Sequence, residues 1–140
     1  MTSIPRPATV SASLAHWHTM VEQGNLLELP AILHKDAVFR SPVAHTPYSG
    51  APVVALILNA VAQVFTEFTY ERELSTDDGL SVVLEFSARV NGKQLKGIDM
   101  IRFDETGKIV EFEVMIRPLN ALQALAEEMA QRLAAYLPKK

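Results

Sequence analysis

One carboxylate stands where strand periodicity calls for a hydrocarbon. In residues 94–103 (QLKGIDMIRF) successive side chains of an extended chain leave opposite faces. Leu95, Gly97, Asp99, Ile101 and Phe103 share one face, and Lys96, Ile98, Met100 and Arg102 share the other. The first face is apolar or small except for Asp99. An acid buried there without a partner costs several kcal/mol or takes up a proton. Either outcome is chemically useful, so Asp99 is the first candidate for a pocket acid that donates to, or polarises, a carbonyl or epoxide oxygen. The alternative is a structural acid paired with the Trp17 N–H, a histidine or a backbone amide.

The other residues able to do chemistry are fewer. His45 follows Ser41 in a proline-rich loop and is the one histidine placed to act as a base; an ordinary loop histidine is its alternative. His16 and His18 lie two apart on a helix, about 200° around its axis, and cannot chelate one ion. His34 falls at a helix end, where a cation suits the dipole. Metalloprotease spacings such as H-E-x-x-H are absent, so no metal is expected. Gly92 and Gly97 do not form a phosphate loop, and no nucleotide or redox cofactor is implied. With no cysteine, thiolate chemistry and disulfides are excluded.

Composition bounds the partners. The 140 residues suit one domain, with residues 1–10 (two prolines) as a flexible lead-in and 11–140 as the folded unit. A formal net charge of −3, with no basic run except Lys139-Lys140, argues against nucleic acid. The longest apolar stretch, 51–65, is broken by Pro52, Asn59 and Gln63 and is too short to span a bilayer. No secretory signal is evident, so a cytoplasmic location is expected.

The elements that must position these groups read as follows. Ser11 or Ser13 caps a first helix in which Leu14, Trp17, His18 and Val21 recur at helical spacing, and Gly24-Asn25 stops it. A short helix over 26–33 follows, then an extended 37–41, a loop over 42–50 and a strongly apolar helix over 51–65. From Phe68 the period becomes two. Strands over 68–75 and around Val82–Val90 flank a Thr76–Gly79 turn, and Asn91-Gly92 is a strong hairpin signal. After the Asp99 strand and a turn at 104–107, Val110, Phe112, Val114 and Ile116 share a face against Glu111, Glu113, Met115 and Arg117. Pro118 ends that strand, and Leu122, Leu125, Met129 and Leu133 line a terminal helix. Helices, then a four-strand antiparallel meander, then a helix make an α+β domain with helices gathered on one side of a curved sheet.

From about Leu14 to Pro118 the chain resembles the nuclear-transport-factor-2-like superfamily, in its SnoaL-like and ketosteroid-isomerase-like branches. The resemblance is carried by Gly24 between the first helices, Asp36-Ala37-Val38, Ser49-Gly50 opening the long helix, and GIDMIRFDETGKI. It implies a cone-shaped, cystatin-like curved antiparallel sheet with N-terminal helices on its concave side. It speaks weakly to function, since the superfamily includes isomerases, cyclases, dehydratases, epoxide hydrolases and non-catalytic proteins. The ketosteroid isomerase pattern pairs a tyrosine with a neutral aspartic acid in an oxyanion hole, while a second aspartate moves the proton. Asp99 matches the oxyanion-hole acid; Trp17 stands at the tyrosine position and Ser41 at that of the proton-moving aspartate. These two departures imply no standard ketosteroid isomerase activity.

The expectation is therefore a pocket for a small hydrophobic molecule. Its walls would be Trp17, Val82, Leu84, Phe86, Phe112, Val114 and Ile116, with Tyr48 at its mouth. Asp99, Ser41 and His45 would be its polar groups. Acid–base chemistry on a hydrophobic carbonyl or epoxide fits it best. Ile98, Met100 and Met115 on the opposite sheet face suggest a homodimer contact. The rival expectation is a non-catalytic dimeric module whose interior is filled by its own side chains.

Overall fold

The computed structural model describes residues 6–134. In chain order these form α1 (Ala8–Gln23), a 3-10 turn (Leu29–Ile32), β1 (Leu33–Arg40), β2 (Tyr48–Ser49) and α2 (Ala51–Val64). β3 (Thr66–Ser75), β4 (Ser81–Val90), β5 (Lys93–Phe103), β6 (Ile109–Arg117) and α3 (Leu119–Leu133) follow. The strands make one curved, unclosed sheet in the order β2-β1-β6-β5-β4-β3. The meander β3 to β6 is antiparallel, as its short turns require, and β1 joins it parallel to β6. That parallel pairing and the two-residue β2, which pairs with Phe39 and Val38, lie outside the meander expected from the sequence. The parallel pairing joins residues distant along the chain, whereas β2 folds back on β1 across the loop that follows it.

The α1 helix starts earlier than its serines suggest. Pro7, with φ −57°, stands at its N-terminus, and no side chain caps it. Val10 is fully buried, so the expected lead-in is helical from Ala8; residues 1–5 lie outside the described residues. Ser13 instead donates to the Gly107 carbonyl at 2.6 Å, and Thr9 to the Glu105 carbonyl at 2.6 Å. Thus the polar side of the first turns docks on the β5–β6 turn, while Val10, Leu14, Trp17 and Met20 face the sheet. Gly24 ends the helix at φ 66°, and its N–H and that of Asn25 satisfy the carbonyls of Val21 and Met20. The expected second helix is only the 3-10 turn, since Pro30 lacks the N–H that a longer helix would need.

Strand alternation fixes the inner face. Val82, Leu84, Phe86, Ala88 and Val90 of β4 are buried, as are Leu95, Gly97, Asp99, Ile101 and Phe103 of β5. On β6 the pairing steps from Ile109 to Glu111, opposite Phe103 and Arg102. This bulge takes Val110 out of the buried row and puts Ile109 in it, a shift that strict alternation misses. Gly97 sits where a Cβ would come within 2.6 Å of both the Phe86 ring and the Met115 carbonyl. The ring of Phe86 thus lies over Gly97, its direct partner across the strands. α3 returns to the inner side, burying Ala121, Ala124, Leu125 and Met129.

Candidate active site

Asp99 is buried, with 6% of its surface accessible, and its neighbours along β5 on that face are all apolar or glycine. Its one side-chain hydrogen-bond partner among the described residues is Tyr70, whose hydroxyl donates to Oδ2 at 2.5 Å. The same hydroxyl accepts the indole N–H of Trp17 at 2.9 Å. A hydrogen-bond relay therefore runs from α1 through β3 to β5. Burial pushes the Asp99 carboxyl up to about 7, against the smaller opposing pull of the Tyr70 hydrogen bond. The Tyr70 phenol is raised well above its ordinary value, first by burial and then by the charge of Asp99. A carboxyl group poised near neutrality can hold or release a proton at physiological pH.

Tyr70 reaches Asp99 because β3 bulges on both sides of it. The pairing with β4 shifts between Thr66 and Thr69 and again between Tyr70 and Glu73. Between these shifts Phe68 and Tyr70 face inward; beyond the second, Glu73 takes the inner side, where it meets Arg6 and His18, and Arg72 takes the outer one. Phe68 stacks on Phe86 with centroids 4.8 Å apart, and Tyr70 stands edge-on to both Phe68 and His18.

A cavity of about 100 Å³ opens beside this relay. Trp17, Phe65, Phe68, Tyr70, Asp99, Phe112, Val114 and Ile116 face it, with Leu58 and Val61 of α2 and Leu125 of α3 among its further walls. Among the described residues, Asp99 is the one carboxylate that lines it, and no lysine, arginine or histidine does. Next to it lies a groove of about 440 Å³ between α2, α3 and the segment after β1. Phe39, Pro42, Val61 and Leu125 border both hollows.

Of the residues singled out from the sequence, Asp99, Trp17, Phe112, Val114 and Ile116 are brought together around the cavity. Ser41 and Tyr48 are not: both line the groove, and the Ser41 hydroxyl accepts the Val43 N–H at 3.1 Å, which shapes the turn after Pro42. His45 is exposed and lines neither hollow, because this turn carries it outward. Leu84 and Phe86 point inward but are fully covered. Phe86 backs Phe65, Phe68 and Tyr70 and does not face the cavity itself. Tyr70 is the candidate site residue that sequence reading passed over. Its signal was the Phe68-Thr69-Tyr70 alternation, which aims a phenol at the same interior as Asp99. Among the described residues, no three His, Asp or Glu side chains gather as a metal site.

Three helices on a curved, unclosed six-strand sheet make the cystatin-like α+β architecture. The chain belongs to the SnoaL-like domain family, whose model matches residues 14–112. A steroid delta-isomerase from Pseudomonas aeruginosa is 60% identical, with 96% of this chain and 98% of that one covered at a TM-score of 0.92. A bacterial protein with a cystatin-like fold from Silicibacter pomeroyi DSS-3 is 32% identical, over 89% and 86% of the two chains, at a TM-score of 0.83. The epoxide hydrolase/cyclase-like enzyme SalBIII, which acts in pyran ring formation in the polyether salinomycin, shares the fold at 18% identity and a TM-score of 0.64. That match covers 79% of this chain and 92% of SalBIII. No curated protein matched. No helix among the described residues is long and apolar enough to cross a membrane.

Proposed function

We propose that the protein binds a small, uncharged, hydrophobic carbonyl or epoxide compound in the cavity beside Asp99 and moves a proton on it. The observation that carries this reading is a buried carboxyl group with one oxygen tied to Tyr70 and a hollow alongside. Tyr70 occupies Oδ2, which leaves Oδ1 for a ligand. Protonated, Asp99 donates from Oδ1 to the ligand oxygen while still accepting from Tyr70. As charge develops on the ligand oxygen, this short donor in an apolar site stabilises it far better than water would. Ionised, the same group accepts a proton from carbon or from an attacking hydroxyl. Tyr70 brings a phenol to the site from β3, but its one proton serves Asp99 Oδ2, while Trp17 donates to its oxygen.

The kinship with an isomerase and a cyclase-like fold supports proton-transfer chemistry as the reaction class. The apolar walls favour neutral ligands, since a ligand charge would find no counter-charge there except Asp99 itself. The test is ligand titration followed by Trp17 fluorescence and NMR, with neutral ketones and epoxides as probes. Binding should weaken at least tenfold in Asp99→Asn without unfolding. Equal affinity in both proteins would overturn the assignment.

A second copy of the chain is proposed on the outer sheet face. Met115 is 45% exposed there, beside its cross-strand partner Ile98 and near the half-buried Met100. Binding and dimerisation without turnover would favour a non-catalytic module over an enzyme.

A further inference from the structure

We infer that the inner cavity and the outer groove are two subsites for one ligand: a compact oxygen-bearing head against Asp99 and a flexible hydrocarbon tail along α3. The inference rests on the reading of the inner cavity just given and names the substrate class for it. Size is the first argument. A cavity of about 150 Å³ takes a benzene-sized molecule, so the inner hollow of about 100 Å³ holds only a few non-hydrogen atoms around the reacting oxygen. Ligand sites that bury a drug-sized molecule run to about 300–1,000 Å³. Any larger ligand whose oxygen reaches Asp99 must therefore extend beyond the inner cavity.

Adjacency points the same way: Phe39, Pro42, Val61 and Leu125 line both hollows, so a shift of one of these side chains joins the two. The groove beyond is four times as large and is lined by Ile57, Met129, Ala130 and Leu133 among others. Small side chains at Ala126, Ala130 and Ala134 leave its floor open along α3, where longer residues would have closed it. Chemistry supplies the third argument. Among the described residues, the groove's lining contains no acidic or basic side chain, and its polar side chains are Ser41 and Tyr48. Such a channel suits an unbranched or lightly branched alkyl chain and disfavours a phosphate, a carboxylate or a sugar.

The experiment is a homologous series of straight-chain methyl ketones, from butanone to tridecanone, titrated into the protein. Each methylene that enters the groove should tighten binding about three- to fourfold, until the groove is filled and affinity levels off. For a long ketone, the terminal methyl should give NMR cross-peaks to the Met129 methyl. Ala130→Trp should bring the plateau to shorter chains. If butanone binds and longer homologues gain nothing, or if the terminal methyl avoids Met129, the groove assignment is overturned while the inner site stands. If no member of the series binds, the reading of the inner site falls and this inference with it. Long ketones that bind Asp99→Asn as tightly as the unaltered protein would also overturn it, because head and tail would then be uncoupled.

Discussion

The Tyr70 hydroxyl donates to Asp99 Oδ2 at 2.5 Å although β4 separates their strands. On β4, Tyr70 pairs with Phe86 and Asp99 with Leu84, so the contact runs diagonally over two buried apolar residues. The bond therefore depends on the bulges of β3 and on the rings of Phe68 and Phe86 that hold the phenol. In Tyr70→Phe this donor is lost, and the Asp99 carboxyl should titrate above its present value of about 7. Carbon-detected NMR of the carboxyl group reads this directly. The stability loss should be about 1.5–3 kcal/mol above neutrality, where the bond is to a charged acceptor, and smaller where Asp99 is protonated. An unmoved or lowered titration would show that the phenol does not act on the acid.

Stability should fall as pH rises toward neutrality, opposite to the usual behaviour of a paired acid. The folded Asp99 carboxyl titrates at about 7 and its ordinary value is 3.8. Between these values the native state binds more protons than the unfolded state, so unfolding free energy declines with pH and levels off above 7. The decline attributable to this group is on the order of a few kcal/mol. At the acid end the sign reverses. Hydrogen bonds from Arg72 hold Glu85 at about 2, and those from Thr76, the Leu80 N–H and Arg102 hold Asp78 at about 2. Their contributions are present above the ordinary carboxylate range and are lost as pH falls toward 2. Urea unfolding from pH 2 to 8 should therefore show a maximum near pH 4 to 5. Asp99→Asn should flatten the upper limb only, and a persistent decline in that variant would assign it to another group.

Gly97→Ala should loosen the site without touching it. The added methyl would meet the Met115 carbonyl and the Phe86 ring at 2.6 Å, and backbone cannot yield as a flexible side chain does. Overpacking of this kind costs about 1–3 kcal/mol. Phe86 would shift against Phe68 and Tyr70, so Trp17 fluorescence and ligand affinity should change along with the denaturation midpoint. Unchanged binding with lowered stability would show that the relay does not depend on this packing.

Much of the fold is legible in the sequence for a simple reason: amphipathic periods report local geometry. The β4 and β5 faces, the Gly24 stop and the Asn91-Gly92 turn, with φ 49° and 77°, all follow from residue type and spacing. Asp99 was legible because one acid breaks such a period. What spacing does not encode is where a strand changes face. The bulges around Tyr70 and at Val110 shift pairing by a residue, and each requires the partner strand to be known. Likewise Ser41 and His45 follow β1 closely in sequence, yet the turn stabilised by the Ser41 hydroxyl directs them away from the acid. Tyr70 escaped notice because its role requires a partner 29 residues away.

The outer sheet face yields a separate prediction. Among the exposed large apolar residues, Met115 lies on the central strand β6, beside Ile98. Glu113 and Arg117 flank it along β6, and charged residues further out on the same face are paired within the chain, as Arg40 with Glu111 and Arg72 with Glu85. A second copy placed there would cover the apolar centre while these pairs form a polar rim. Met115→Asp should shift a sedimentation profile from dimer to monomer and leave the Asp99 titration in place. A monomer before substitution would remove the proposed interface.

Isomerisation is the sharpest test of what the acid can do alone. The Pseudomonas aeruginosa relative is a steroid delta-isomerase, and shifting a double bond requires a proton to leave one carbon and return to another. Among the described residues Asp99 is the one carboxylate lining the cavity, and Ser41, at the position where the resemblance implies a second aspartate, lines the groove. One group must then serve both as base and as the partner of the developing oxyanion, two tasks that require opposite protonation states. Conversion of a β,γ-unsaturated ketone, followed by the ultraviolet absorbance of the conjugated product, should accordingly be slow. It should disappear in Asp99→Asn. Rapid turnover that survives this substitution would place the base elsewhere and leave the relay of Trp17, Tyr70 and Asp99 with a positioning role only.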